Sequence, residues 1–361
     1  MTARSELSQS RRIVIKIGSK ALAGDGELQQ KLAQELSGLE GPKRRFVLVT
    51  SGAIAFGMAR LGYKARPKET AKLQAAAAAG QSVLMRRWES AFSAVGLTVA
   101  QVLLTHDDLA DRKRVNNARD ALAELLEASA IPIVNENDTV STAEIRLDND
   151  QLAAMVAPLV SADLLILLTD VEGVLDRHGE RIPLMKDDAE LGTVAASGQR
   201  LGSGGMQSKL DAAYKASHAG ASVVIAPAPR ASVIRDIVSG ADVGTLVPRR
   251  TPLRARQHWI AYTLRPRGTV LIDAGAEKAL SGGKSSLLPV GVVGVRGEFN
   301  AGDAVRLVGL GGNEIGRGLT RLGALDVSRA AGKQLAELEL AFGGDAKELV
   351  VVHKDDLVLA G

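Results

Sequence analysis

Between Arg12 and Ala228 the chain alternates short, wholly apolar runs with amphipathic stretches, and this limits its folds more than any other feature. RRIVIKIG, RFVLVTSG, TVAQVLLT, IPIVNEND, ADLLILLTD and ASVVIAPA read as strands. LQQKLAQELSGL, AIAFGMARLG, KETAKLQAAAAAGQSVLMRRWESAFSAVG, NNARDALAELLEAS, DNDQLAAMVAPLVS and MQSKLDAAYKASHAG read as helices. A strand that is apolar at successive positions is buried on both faces, so the pattern predicts an α/β fold with a mostly parallel sheet between helix layers. In such a sheet ligands bind at the carboxyl ends of the strands. Polar residues gather at those ends: Lys16-Ile17-Gly18-Ser19, Thr50-Ser51-Gly52, Asn135-Glu136-Asn137-Asp138 and Thr169-Asp170.

The tail differs. Residues 268–361 hold 18 of the 38 glycines, and their apolar runs (GTVLID, GVVGV, DAVRLVG, ELVVVH) are short and punctuated by turns. This reads as a small β-rich domain. Before it, residues 249–267 carry six Arg and no acid, which marks 253–267 as a basic linker between domains 1–252 and 268–361. The net charge of +4 comes from that stretch, since 1–248 balance at 29 basic and 29 acidic residues. A nucleic-acid binder shows its basic face on the binding domain itself, and the tail is acidic and poor in aromatics, so nucleic acid is not the expected partner. There is no cysteine, which excludes disulfides, thiolate metal sites and a cysteine nucleophile. The five histidines are isolated, so a histidine metal site or general base has no support. The longest apolar stretch, Leu152 to Leu168, contains Pro158 and Asp163 and reads as a helix end plus a strand, not a membrane span. With a polar N-terminus lacking the apolar core of a signal peptide, a cytoplasmic protein is expected.

Five stretches carry chemistry. In IVIKIGSKAL a strand ends in a Gly/Ser turn whose amides can cradle an anion, with Lys16 adding a point charge. Ser51, Gly52 and Ala53 open a helix after a strand; Ser51 can be an N-cap, or these groups can hold a carboxylate, and both can be true at once. Asn135, Asn137, Asp138, Asp148, Asn149 and Asp150 fall within 16 residues, a set suited to orienting an ammonium group. Asp170 after Thr169 can position lysines. In LGSGGMQSK the glycines permit close approach to phosphate, with Ser208 and Lys209 entering a helix. Two lysines on Gly-rich turns without a base suit phosphoryl transfer to an acceptor that is already an anion.

These residues resemble a known family, the bacterial glutamate 5-kinases of the amino acid kinase superfamily. VIKIGS, VTSGAIAFG, Gly80-Gln81, QVLLT, NNARD, PIVNENDTVSTAEI, DND, LLTDVEGV, GSGGMQSK and VGTLV carry the likeness, and the tail resembles a PUA domain through SSLLPVGVVGVRGEFNAGDAVRL. The resemblance implies an amino acid kinase catalytic domain over 1–252 and a PUA-like domain over 268–361. It implies ATP-dependent phosphorylation of the γ-carboxylate of L-glutamate to L-glutamyl 5-phosphate, the first step of proline synthesis, with Mg²⁺ carried by ATP rather than by a protein metal site, and inhibition by L-proline. Lys16, Lys209 and Asp170 would be the catalytic group. Ser51, Gly52, Ala53, Asn135 and Asp138, with Asp148, Asn149 and Asp150, would bind glutamate. Lys16, Gly18, Ser19, Thr169 and Asp170, with Ser203, Gly204, Gly205, Met206, Gln207, Ser208 and Lys209, would bind nucleotide. Ser203 and Ser208 stand where the family usually has Thr, Leu175 replaces an aromatic, and the loop 172–186 is shorter, which leaves the nucleotide-base contacts open. A homo-oligomer is expected, with the next enzyme of the pathway a further candidate partner. The alternatives are an aspartate or N-acetylglutamate kinase of the same superfamily, and an RNA-binding PUA protein.

Overall fold

The fold was read from a computed structural model. It describes residues 3–22, 26–39, 44–141, 148–185, 205–228, 230–342 and 349–360. The chain divides into two compact units, Met1–Pro252 and Leu253–Gly361.

The first unit is built on seven strands: β1 (Arg12–Lys16), β2 (Arg45–Val49), β3 (Val99–Leu104), β4 (Ile131–Glu136), β5 (Leu164–Thr169), β6 (Ser222–Pro227) and β7 (Thr245–Val247). They lie in the order β3-β4-β2-β1-β5-β6-β7. All pair in parallel except β6 with β7. The helices are α1 (Glu27–Ser37), α2 (Ala53–Arg60), α3 (Thr70–Ser93), α4 (His106–Ala110), α5 (Arg112–Glu127), α6 (Asn149–Leu159), α7 (Met206–His218) and α8 (Val233–Val238).

The continuous apolar runs are explained by two cores, one on each face of the sheet. Val14, Val47, Val134, Leu165 and Val223 point to one core with residues of α5, α6 and α7. Their chain neighbours Ile13, Leu48, Ile133, Ile166 and Val224 point to the other, with residues of α1, α3 and α8. Side chains alternate across a strand, so a two-sided core demands an apolar residue at every position. Local chemistry starts the helices. Asp111 caps α5 by accepting from the Lys113 and Arg114 amides, and Thr105 and Asp108 form a reciprocal capping box at α4. Pro158 falls in the last turn of α6, where it ends the helix.

The second unit holds α9 (Ala255–His258), β8 (Gly268–Ile272), α10 (Ala274–Ser281), β9 (Val292–Gly297), β10 (Ala304–Gly309), β11 (Glu314–Thr320), α11 (Ala324–Ala330), α12 (Leu335–Phe342) and β12 (Val352–Leu359). Its five strands run β12-β11-β10-β8-β9, antiparallel but for β10 with β8. The basic stretch expected to be a linker is packed into this unit. Residues 255–263 are helical, Arg256 pairs with Asp356 at 2.5 Å, and Arg317 donates to the Ala261 carbonyl at 3.0 Å. A basic composition does not distinguish a linker from a folded segment whose arginines face solvent, which is why the composition misled. The last strand also differs from the expected ELVVVH. It runs on through the charged Lys354, Asp355 and Asp356, as an edge strand can.

Candidate active site

The carboxyl ends of β1, β2, β4 and β5 surround a cleft of about 540 Å³. At its floor Lys16, the last residue of β1, is 5% exposed, and Asp150, in the first turn of α6, is 1% exposed. Lys16 Nζ lies 2.7 Å from Asp150 Oδ1 as an ion pair. Lys209 Nζ, from the first turn of α7, donates to Asp150 Oδ2 at 2.8 Å. One buried carboxylate therefore holds two ammonium groups at the cleft floor. A buried charge is stable only when paired and hydrogen-bonded.

The start of α6 is tied to the start of α7. Asp148 caps α6 by accepting from the Asp150 amide at 3.1 Å, and Gln151 Nε2 donates to the Ser208 carbonyl at 2.9 Å. Desolvation pushes the Asp148 carboxyl up, but the Ser208 hydroxyl, the Asp150 amide and the Lys16 and Lys209 charges outweigh it, and the group titrates below the ordinary carboxylate range. Because α6 and α7 are locked at their N-termini, Lys209 arrives at Asp150 in a fixed position.

On the other side of the cleft, α2 starts at Gly52, whose φ of 101° is one that only glycine adopts freely. The Ser51 hydroxyl donates to the Ile17 carbonyl at 3.2 Å and does not cap α2. It ties the β2 turn to the β1 turn, and the first amides of α2 remain directed at the cleft end. Gly57 and Gly80 let α2 and α3 meet backbone to backbone. A Cβ on Gly80 would lie 1.8 Å from the Ala53 carbonyl oxygen, and one on Gly57 would lie 1.6 Å from that of Ala76. Asn135, 2% exposed, lines the cleft beside Asn149, and its Oδ1 accepts from Asn149 Nδ2 at 3.0 Å.

Relatives align with this chain over nearly its whole length. Glutamate 5-kinase of Pseudomonas aeruginosa is 45% identical, covering 99% of this chain and 100% of that protein. Those of Trichlorobacter lovleyi and Thermus thermophilus are each 44% identical, over 99% and 97% of this chain and 98% and 97% of their own. The amino acid kinase family model matches residues 11–227, and the PUA domain model residues 268–340. The chain belongs to the amino acid kinase family, in its glutamate 5-kinase branch. Solved structures share its fold. A Giardia lamblia carbamate kinase bound to AMP-PNP matches with a TM-score of 0.51 at 17% identity, over 67% of this chain and 100% of that one. An N-acetylglutamate synthase from Neisseria gonorrhoeae matches at 0.52 and 16%, over 78% and 68%.

Within that family fold, the residues singled out from the sequence fall into three groups. Lys16, Gly18, Ser19, Thr169, Asp170 and Lys209 line the cleft, as do Ser51, Gly52, Ala53, Asn135, Asp138, Asp148 and Asn149. Asp150 lies beneath the lysines, while the Ser208 hydroxyl is turned to Asp148 and Gln207 pairs with Asp211 at 2.9 Å. Gly205 and Met206 open α7, and Ser203 and Gly204 lie outside the described residues. One role changes hands. Asp170, expected to hold the lysines, instead pairs with Lys20 at 3.3 Å on the exposed rim, and Lys20 draws its carboxyl below the ordinary range. The carboxylate between the lysines is Asp150, because α6 points its N-terminus at the end of β1 while Asp170 leaves β5 toward solvent. Lys20, Arg66 and Glu136 also line the cleft and had no role assigned from the sequence, although Glu136 stands in the polar set after β4. Lys20 was visible in IVIKIGSKAL as a second lysine on the same turn. Glu136, 5% exposed, accepts from the Ser141 hydroxyl at 2.6 Å.

Proposed function

We propose that this chain phosphorylates the γ-carboxylate of L-glutamate with ATP, giving L-glutamyl 5-phosphate and ADP, the first step of proline synthesis. The observation that carries the reading is Asp150 pairing with both Lys16 and Lys209 at the floor of a cleft, in a chain 44–45% identical to glutamate 5-kinases along its length.

The chemistry fits these groups. A glutamate side chain has a reference pKa near 4.3, so the acceptor is already an anion at neutral pH and no base is required. A γ-carboxylate oxygen forms a bond to the γ-phosphorus, the bond from that phosphorus to the ADP oxygen breaks, and no proton moves. The obstacle is repulsion between anions. Lys16 and Lys209 offset it, and each ~1.4 kcal/mol they supply in the transition state is tenfold in rate. Asp150 keeps both lysines aimed. Asp148 and Asp150 are engaged by Ser208, an amide and the two lysines, and the Mg²⁺ of the reaction is proposed to arrive with the nucleotide substrate. The α2 amides at Gly52 and Ala53 suit the α-carboxylate, and Asp138 with Asn149 suits the ammonium. Asp138 favours a free amino acid over an N-acetylated one, which has no ammonium to pair with it.

The test is ATP consumption with hydroxylamine trapping of the acyl phosphate, run on glutamate, aspartate and N-acetylglutamate. Turnover with glutamate alone is expected; preference for either other acid overturns the reading. L-Proline shares the α-carboxylate and the protonated amine but has no γ-carboxyl, and it is proposed to inhibit by overlapping the glutamate site. Inhibition undiminished at saturating glutamate would exclude that overlap.

A further inference from the structure

Three polar side chains recur at seven-residue intervals along α3: Gln74, Gln81 and Trp88. Each reaches a segment that frames the amino-acid side of the cleft. Gln74 donates to the Ser141 carbonyl at 3.2 Å, Gln81 accepts from Asn135 Nδ2 at 2.8 Å, and the Trp88 indole donates to the Thr50 hydroxyl at 3.3 Å. A seven-residue step is nearly two helical turns, so the three share a face and sit about 10 Å apart. Of these only Gln81 joins a chain of amides that ends in the cleft.

The polarity of that chain is set at both ends by backbone groups. The Glu136 amide is a donor and meets Asn135 Oδ1 at 2.9 Å, so that oxygen is the accepting end of Asn135. The Thr50 carbonyl is an acceptor and meets Asn149 Nδ2. Asn149 therefore spends both amide hydrogens, one on Thr50 and one on Asn135 Oδ1 at 3.0 Å. Its remaining polar atom is Oδ1, a pure acceptor on a residue that lines the cleft. Asn135 keeps its own orientation only if something accepts from its Nδ2, and that acceptor is Gln81 Oε1. Gln81 holds this orientation although its own Nε2 is buried without a partner. Turned the other way, Gln81 would set donor against donor, and the conflict would propagate through Asn135 to Asn149.

The geometry points to Gln81 as a positioning residue for the amino group of the substrate. It does not line the cleft. By accepting from Asn135 it reinforces the polarity that the Glu136 amide and the Thr50 carbonyl impose, in which Asn149 presents an oxygen, not an amide N–H, to a ligand ammonium. This rests on the reading that the substrate is a free amino acid.

The test uses the full chain with Gln81→Met, matched in volume but without an acceptor, and Gln81→Glu, which keeps one. For each, KM for glutamate, KM for ATP and melting temperature are measured, along with inhibition by glutarate, which is glutamate without the amine. Gln81→Met is expected to raise the glutamate KM about tenfold, leave the ATP KM within about twofold, and leave the glutarate inhibition constant unchanged. Gln81→Glu is expected to recover most of the glutamate KM. Gln81→Leu replaces the Met variant if that one fails to fold. An unchanged glutamate KM in the variants without an acceptor overturns the proposal. So does a parallel rise in both KM values and the glutarate constant, which is what general loosening of the site would produce. A wild-type chain that consumes no ATP with glutamate refutes the kinase reading; a wild type that does, with Gln81→Met unaltered, refutes only the role of Gln81.

Discussion

Around Asp150 the cleft is held by charge, and around Asn135 it is held by neutral amides. The first region packs three ionised groups, Lys16, Lys209 and Asp150, into a floor where Asp150 is 1% exposed. The second links Gln81, Asn135 and Asn149 through hydrogen bonds of 2.8 Å and 3.0 Å and carries no formal charge. The difference follows from what each region must recognise. Phosphate and carboxylate anions that repel one another need cations held rigidly, and buried cations need a counter-charge. An amino acid also needs direction, and oriented amides supply it beside the Asp138 carboxylate without adding charge.

The sharpest way to break the comparison is Asp150→Ala. Removing one partner of a buried ion pair costs about 3–5 kcal/mol, and here two ammonium groups lose their partner at once. The expected result is a fall in kcat of roughly three orders of magnitude together with a lowered melting temperature. Retention of near wild-type turnover would mean that the lysines aim themselves. Lys209→Ala should come next, lowering kcat by roughly a hundredfold while the KM for glutamate changes little; a purely KM effect would move Lys209 out of the transferring-phosphate region. Asp138→Ala tests the carboxylate proposed to act beside those amides, and its signature is a roughly tenfold rise in glutamate KM with a smaller change for ATP. Equal changes for both substrates would show that Asp138 shapes the whole cleft. Gly80→Ala should act mainly on stability, by about 1–3 kcal/mol, because the new Cβ must displace backbone; any kinetic effect should fall on glutamate, which calorimetry and steady-state rates can separate. The smallest effect concerns pH. Asp148 titrates below the ordinary carboxylate range, so the stability and order its charge contributes are complete above that range and are lost only as pH falls through the lowered value. Rates measured from about pH 8 to about pH 5 should show no acid limb from this group, and a limb in that interval abolished by Asp148→Asn would contradict the assignment.

The sheet was legible because both of its faces are buried. Apolar runs such as LLILLT cannot be explained by a one-sided strand, and the polar residues after them mark the carboxyl ends. Elements without a period were not legible. α4 and α8 have five and six residues and β7 has three, too few to show amphipathicity. The candidate cleft residues were legible as a set because each follows a strand or opens a helix. Their pairing was not. Asp150 and Asp170 look alike in sequence, each an aspartate beside a strand or helix end. Which one meets two lysines depends on the direction of α6, a property of packing. Gln81 was legible only as part of the Gly80-Gln81 pair, since its role depends on Asn135, 54 residues further along the chain.

The backbone contact between α2 and α3 has a consequence for how the molecule breathes. With Gly57 and Gly80 at the crossing, no side chain lies there to swing aside and let one helix loosen alone. The two helices should open together, as one cooperative unit with a single opening free energy. Deuterium uptake would then rise and fall in step along Ala53–Arg60 and the facing turns of α3. A ligand carboxylate held at the first amides of α2 would slow exchange around Gly80, at amides the ligand never touches.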